Sequence, residues 1–177
     1  PHPAWGFSGM VAADLNRDGK MDLVFTHGDT VDDGIHFKPY QGVGWLENKG
    51  GLKFEFHTIG LYYGAYAPKV IDLDGDGDLD VLATSFLPGS DLVNQRRMTV
   101  PGIVWYEQVS PGAFLAHPFP DDIAFHPSLE VGDIDGDGSL AVIAATLWIR
   151  PSAMLAQSGS VDIWRIRRSD SGGRPSK

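Results

Sequence analysis

The 177-residue chain contains no cysteine. That removes disulfides, thiolate nucleophiles and cysteine-ligated zinc in one step, although exported proteins often lack cysteine too, so no compartment follows. Long apolar runs are also missing. The longest, Leu140 to Ile149, is too short to cross a bilayer and reads as a buried strand. Positive charge is scarce: 14 lysines and arginines against 23 acids leave a net charge of −9, which argues against nucleic acid as a partner. No segment shows a capped helical period of useful length. No serine stands in a strand-turn-helix context and no histidine–carboxylate dyad is convincingly spaced, so the chain alone is not expected to be an enzyme. No secretory leader is visible, and the chain opens at Pro1 without a methionine, from which processing or excision from something longer is expected.

What is present is a repeat. Three segments align without gaps: Met10 to Gly28, Pro68 to Phe86 and Leu129 to Leu147. A tryptophan block recurs downstream of each, as Val43-Gly-Trp-Leu-Glu-Asn48, Ile103-Val-Trp-Tyr-Glu-Gln108 and Asp162-Ile-Trp-Arg-Ile-Arg167. A third block, Phe54 with His57 and Phe114 with His117, follows the first two tryptophans and is missing after Trp164. Each unit therefore reads as four short strands, the last unit lacking its fourth. Continuous apolar runs such as Ala141-Val-Ile-Ala-Ala145 point to strands covered on both faces. The expected fold is all-β, with stacked four-stranded blades at about 8–60, 66–120 and 125–168 and a tail from 169 to 177. A β-sandwich accounts for the short strands, but not for a loop and a tryptophan returning at one register.

The acidity is concentrated in three loops, where ten of the 23 acidic residues stand at side-chain ligand positions. They read Asp14-Leu-Asn-Arg-Asp-Gly-Lys-Met-Asp22, Asp72-Leu-Asp-Gly-Asp-Gly-Asp-Leu-Asp80 and Asp133-Ile-Asp-Gly-Asp-Gly-Ser-Leu-Ala141. Side-chain oxygens at positions one, three, five and nine converge only if the backbone wraps tightly, which glycine at position six (Gly19, Gly77, Gly138) permits. Position seven (Lys20, Asp78, Ser139) is then expected to offer its backbone carbonyl, so its side chain is free to vary. Hard oxygens without histidine or cysteine select Ca2+ over zinc or copper. A helix-flanked calcium loop would need glutamate at position twelve, where Phe25, Ala83 and Ala144 stand. A plain Asp-Gly turn with solvated acids is the bland alternative, weakened by its recurrence three times in register.

The pattern Asp-x-Asp-x-Asp-Gly-x-x-Asp, followed by an apolar strand and then Val-x-Trp-x-Glu-Asn, resembles the FG-GAP or VCBS repeat family, over nearly the whole chain up to about Arg168. That family includes the propeller of integrin α-subunits, fungal propeller lectins and many exported bacterial proteins. The resemblance implies a calcium-binding β-propeller of six or seven blades, of which this chain supplies three, the rest coming from a longer chain, a second copy or another subunit. Carried over by position, the side-chain ligands are Asp14, Asn16, Asp18 and Asp22, then Asp72, Asp74, Asp76 and Asp80, then Asp133, Asp135 and Asp137. Ala141 departs from the pattern and implies a weaker third site.

An extracellular, cell-surface or periplasmic binding module for glycan or protein is expected, with a non-catalytic subunit of a larger exported enzyme as the alternative. In four-stranded blades the long loops, His27 to Gly42, Phe86 to Gly102 and Trp148 to Ser160, lie opposite the acidic ones, which makes theirs the expected contact face. On it Tyr62, Tyr63, Tyr66 and Trp148 are candidates for stacking on a sugar ring. His27, Asp29 and His36 could form a second metal site and Arg96-Arg97 could hold an anion, though solvated loop residues explain both. Trp45, Trp105 and Trp164 are expected to pack between blades, with His57 and His117 on outer strands.

Overall fold

The computed structural model describes residues 6–28, 37–87, 99–148, 158–166 and 175–176. Regular structure among them is entirely β, and no helix there is long and apolar enough to cross a membrane. The first sheet comprises β1 (Gly9–Ala13), β2 (Asp22–His27), β3 (Gly42–Gly50) and β4 (Lys53–Leu61). The second comprises β5 (Ala65–Ile71), β6 (Asp80–Ser85), β7 (Ile103–Ser110) and β8 (Ala113–Pro118). The third comprises β9 (Ser128–Gly132), β10 (Ala141–Trp148), β11 (Ser158–Ile166) and β12 (Pro175–Ser176). Each is an antiparallel meander with its strands in chain order.

One expectation is corrected here. The third sheet does have a fourth strand, supplied by the tail: Ser176 pairs with Arg165 and Pro175 with Ile166. Among the described residues its pairing covers two residues of β11. Proline, with no N–H to donate, is tolerated on such an edge strand.

The apolar runs are buried as their composition requires, β6 at all six of its residues. The sheets stack through two cores. Val24, Val43 and Trp45 of the first meet Val81, Ala83, Val104 and Tyr106 of the second. From the other side of the second sheet, Leu82, Ile103 and Trp105 meet Leu129, Val142, Ala144 and Trp164 of the third. The middle sheet is thus covered on both faces, and β5 touches both β1 and β9. The face of each sheet turned toward the next in sequence is termed its front.

The third sheet breaks the repeat by one residue. In the first two, the residue two after position nine pairs with tryptophan: Val24 with Trp45, and Leu82 with Trp105. In the third, Trp164 pairs with Val142, one residue after Ala141. Because side chains alternate along a strand, a slip of one turns every side chain to the other face. Trp45 and Trp105 therefore lie on fronts, whereas Trp164 lies on a back, fully buried beside Phe119.

Candidate functional site

The three acidic loops join β1 to β2, β5 to β6 and β9 to β10, and their backbones fold alike. The position-one carboxylate sits in a cradle of N–H groups. Asp14 accepts from Asp18 and Gly19 at 2.9 Å each, Asp72 from Gly75 (2.7 Å) and Gly77 (3.1 Å), and Asp133 from Gly136 and Gly138 at 2.8 Å each. Such a cradle needs left-handed residues at positions four and six. Gly75 and Gly77 supply φ of 82° and 101°, Gly136 and Gly138 76° and 85°. Loop one has Gly19 at position six but Arg17, at φ 59°, at position four.

The cradle aims the acids at a common point. One oxygen from each of Asp72, Asp74 and Asp76 lies within 4.8 Å of the others, and the same holds for Asp133, Asp135 and Asp137. In loop one Asn16 shares the Asp18 N–H (3.1 Å) with Asp14, so the three side chains sit on one backbone turn. Position five accepts the N–H of position seven in each loop, Lys20 at 2.9 Å, Asp78 at 2.7 Å and Ser139 at 2.8 Å. Lys20 also reaches Asp18 with its Nζ at 2.6 Å, which holds that carboxyl below its usual range.

Position nine does something the sequence did not reveal. Asp22 and Asp80 are buried, and each accepts two backbone N–H groups. Asp22 takes those of Leu15 (3.2 Å) and Asn48 (2.8 Å), and Asp80 those of Leu73 (3.1 Å) and Gln108 (2.9 Å). The carboxylate thus fastens the loop's second residue to the strand carrying tryptophan. Four lone pairs per carboxylate leave room for a cation besides these bonds. Burial pushes the Asp80 carboxyl up to about 6, against the two backbone donors. Asp74 is also raised, first by partial burial and then by the charges of Asp76, Glu107 and Asp72. This crowding of like charge is what a bound cation would relieve.

The tryptophan block now acquires roles beyond packing. Two residues after tryptophan, Glu47 bonds His57 (2.9 Å) and Glu107 bonds His117 (2.6 Å), while each imidazole lies over its tryptophan at 4.7 Å. Glu47 also accepts from Asn16 of loop one at 3.1 Å. The next residue along closes the loop from behind: Asn48 donates to Met21 O (3.0 Å) and Gln108 to Leu79 O (2.8 Å). Gln108 further donates to Leu15 O at 3.2 Å, joining loops one and two across the sheet interface. The Glu-Asn and Glu-Gln pairs after tryptophan were the available signal for these contacts.

Loop three differs. Ala141 replaces the clamp, and Ile134 is 49% exposed where Leu15 and Leu73 are each 1% exposed. Arg165 places Nη1 2.5 Å from Asp135 and 3.9 Å from Asp137. The Asp133 carboxyl is held low, chiefly by the Gly138 N–H and then by further backbone donors. An open cavity of about 510 Å³ adjoins this loop, bordered by Leu73, Asp137, Ser139, Arg165 and Ile166.

The donor sets of loops one and two therefore fit a hard divalent cation, and that of loop three fits it poorly. Glu47, Glu55 and His57 also converge, but Lys49 already bridges the two glutamates at 2.7 and 3.2 Å.

On the opposite side, two expectations are corrected. Tyr62 is buried and donates its hydroxyl to Pro101 O at 2.6 Å, so it offers no stacking face. His27 is no solvated loop residue; it ends β2 inside the core, where burial lowers its imidazole. Tyr63 is 37% exposed with Phe37 edge-on to it, and Tyr66 packs on Phe86. Asp29, His36, Arg96, Arg97 and the Trp148 side chain lie outside the described residues. Comparison of the chain with protein-family models and with curated proteins finds no match.

Proposed function

We propose that this chain is a calcium-binding module of an exported protein, its three sheets being successive blades of a larger β-propeller. The observation that carries the calcium reading is the convergence of Asp72, Asp74 and Asp76 on one point, within a turn that the buried Asp80 carboxylate anchors to the tryptophan strand. Loop one repeats that turn, with Asn16 and Lys20 making it the less acidic of the two. Calcium here is structural: it neutralises acids at the junction of two strands and stiffens the turn between them.

Two exposed apolar faces support further blades. The back of the first sheet shows Met10 and Phe54, and the front of the third shows Ile134, Val161 and Ile163. Patches of this kind mark surfaces that meet another protein or another part of the same one. They also favour the second reading, a structural subunit of a larger exported enzyme, over an isolated domain. The glycan or protein ligand is assigned to the side of the long loops, where Tyr63 and Phe7 are exposed rings among the described residues.

The test is thermal unfolding with calcium, with magnesium and after verified metal removal. At a hundredfold excess over Kd each site adds about 2.7 kcal/mol, which is about 5–10 °C for a chain of this size. A melting curve indifferent to chelation would sink the calcium reading. Sedimentation of the chain alone, and with its neighbouring sequence attached, tests the blades: a well-behaved monomer at high concentration in both states argues against further stacking.

A further inference from the structure

We propose, resting on the calcium reading of loops one and two, that loop three carries its own cation: the Arg165 guanidinium takes the place of a metal ion between Asp135 and Asp137. The one-residue slip of β11 causes this. In the first two sheets the residue level with position nine is a glutamate: Leu23 pairs with Leu46, so Glu47 follows level with Asp22, and Val81 pairs with Tyr106, so Glu107 follows level with Asp80. In the third sheet Ala141 pairs with Arg165. The slip thus brings Arg165, rather than Ile166, level with Ala141, and a guanidinium stands where the first two sheets have a carboxylate. Ala141 removes a second carboxylate from that place. Around loop two the acids are Asp72, Asp74, Asp76, Asp80 and Glu107, a charge of −5 before Asp78 is counted. Around loop three they are Asp133, Asp135 and Asp137 with Arg165 among them, a charge of −2.

Lys20 in loop one is not an equivalent device. It reaches Asp18 alone, Asp22 keeps its carboxylate at position nine, and Glu47, though paired with Lys49, still accepts from Asn16 of the loop. Arg165 spans two of the three acids that converge, and its planar fork suits carboxylates better than an ammonium does. Access does not explain the difference, since the cavity beside loop three opens to solvent along Asp137 and Ser139. Charge and donor count do. Calcium affinity follows both.

Each loop holds a reporter: the position-six glycine N–H bonds the position-one carboxylate, as Gly19 to Asp14, Gly77 to Asp72 and Gly138 to Asp133. Calcium is titrated into metal-free protein and the three amide resonances are followed by NMR, in wild type, Arg165→Gln and Arg165→Glu. In wild type Gly138 is expected to respond at calcium concentrations at least tenfold above those that move Gly77. Arg165→Glu, which restores the glutamate of the other sheets, is expected to bring its midpoint down at least tenfold, and Arg165→Gln by less. The inference falls if Gly138 titrates alongside Gly77 in wild type, or if Arg165→Glu leaves its midpoint in place. If Gly19 and Gly77 ignore calcium, the calcium reading fails by itself. The tethered cation is then judged in chelator, where Arg165→Gln must shift Gly138 while leaving Gly19 and Gly77 unmoved; an unmoved Gly138 overturns it. Arg165 is 58% exposed, so these variants leave the core intact.

Discussion

Replacing Asp80 by alanine separates the structural role of position nine from the metal-binding role proposed for it. The carboxylate accepts the buried N–H groups of Leu73 and Gln108 at 3.1 and 2.9 Å. Alanine orphans both, and each buried orphan costs about 1–3 kcal/mol, so about 2–6 kcal/mol is at stake. Part of that is offset. Burial holds the carboxyl at about 6, above the ordinary aspartate value of about 3.9, so its ionised form at neutral pH is disfavoured by about 3 kcal/mol, a penalty that alanine removes. That penalty is comparable to the loss near pH 7, so the informative reference is Asp80→Asn, which also lacks the charge but keeps one acceptor. Relative to it Asp80→Ala is expected to lose about 1–3 kcal/mol in chelator, the cost of one further buried orphan. The assay is urea unfolding in chelator, followed by tryptophan fluorescence. With a slope of about 2 kcal/mol/M the alanine midpoint should fall about 0.5–1.5 M below that of asparagine, at unchanged slope. Equal midpoints for Asp80→Ala and Asp80→Asn would refute the clamp.

Three further outcomes follow from the same contacts. In chelator, stability should decline as pH rises from about 4 through 6, because native Asp80 titrates at about 6 and holds a proton that the unfolded chain has released; Asp80→Asn should flatten this slope, and urea midpoints at pH 4.5 and 7 measure it. Arg17→Gly should raise the melting temperature by about 1–4 °C, since a left-handed non-glycine residue costs about 1–2 kcal/mol, and the exposed 3.7 Å pair it gives up with Asp78 is worth little; an unchanged or lower melting point counts against strain at φ 59°. His117→Ala should cost about 1–2 kcal/mol by removing both the Trp105 stack and the Glu107 bond, and equal urea midpoints would show the ladder to be incidental.

How much of this was legible in the sequence depends on how locally each feature is determined. The four-strand repeat and the loops were readable because turn glycines and apolar runs act over a few residues. The Asp22 and Asp80 clamps were hidden because an aspartate at a ligand position gives no sign that its oxygens also face Asn48 N and Gln108 N, 26 and 28 residues on. His27 and Tyr62 were misplaced for a related reason: polar groups next to long loops read as solvated until tertiary packing encloses them.

The slip in the third sheet was hidden most completely, because Trp164 follows Asp133 at the spacing by which Trp45 follows Asp14. Tight hairpins fix register through the turn, but β10 and β11 are joined across 149–157, a connection long enough to accommodate either pairing. Packing then decides. On the front of the third sheet, where Val161 and Ile163 are 62% and 42% exposed, no other described sheet covers a tryptophan. On the back, Trp164 meets Leu82, Trp105 and Phe119 and is fully buried. With no further blade over that front, burying a side chain of that size stabilises by about 2–3 kcal/mol over leaving it in water, which exceeds what a one-residue change in a long loop costs. The same shift carries Arg165 to Asp135. The change in the core and the change in the acidic loop are therefore one event, and any variant that returns the tryptophan to the front should also withdraw the guanidinium from loop three.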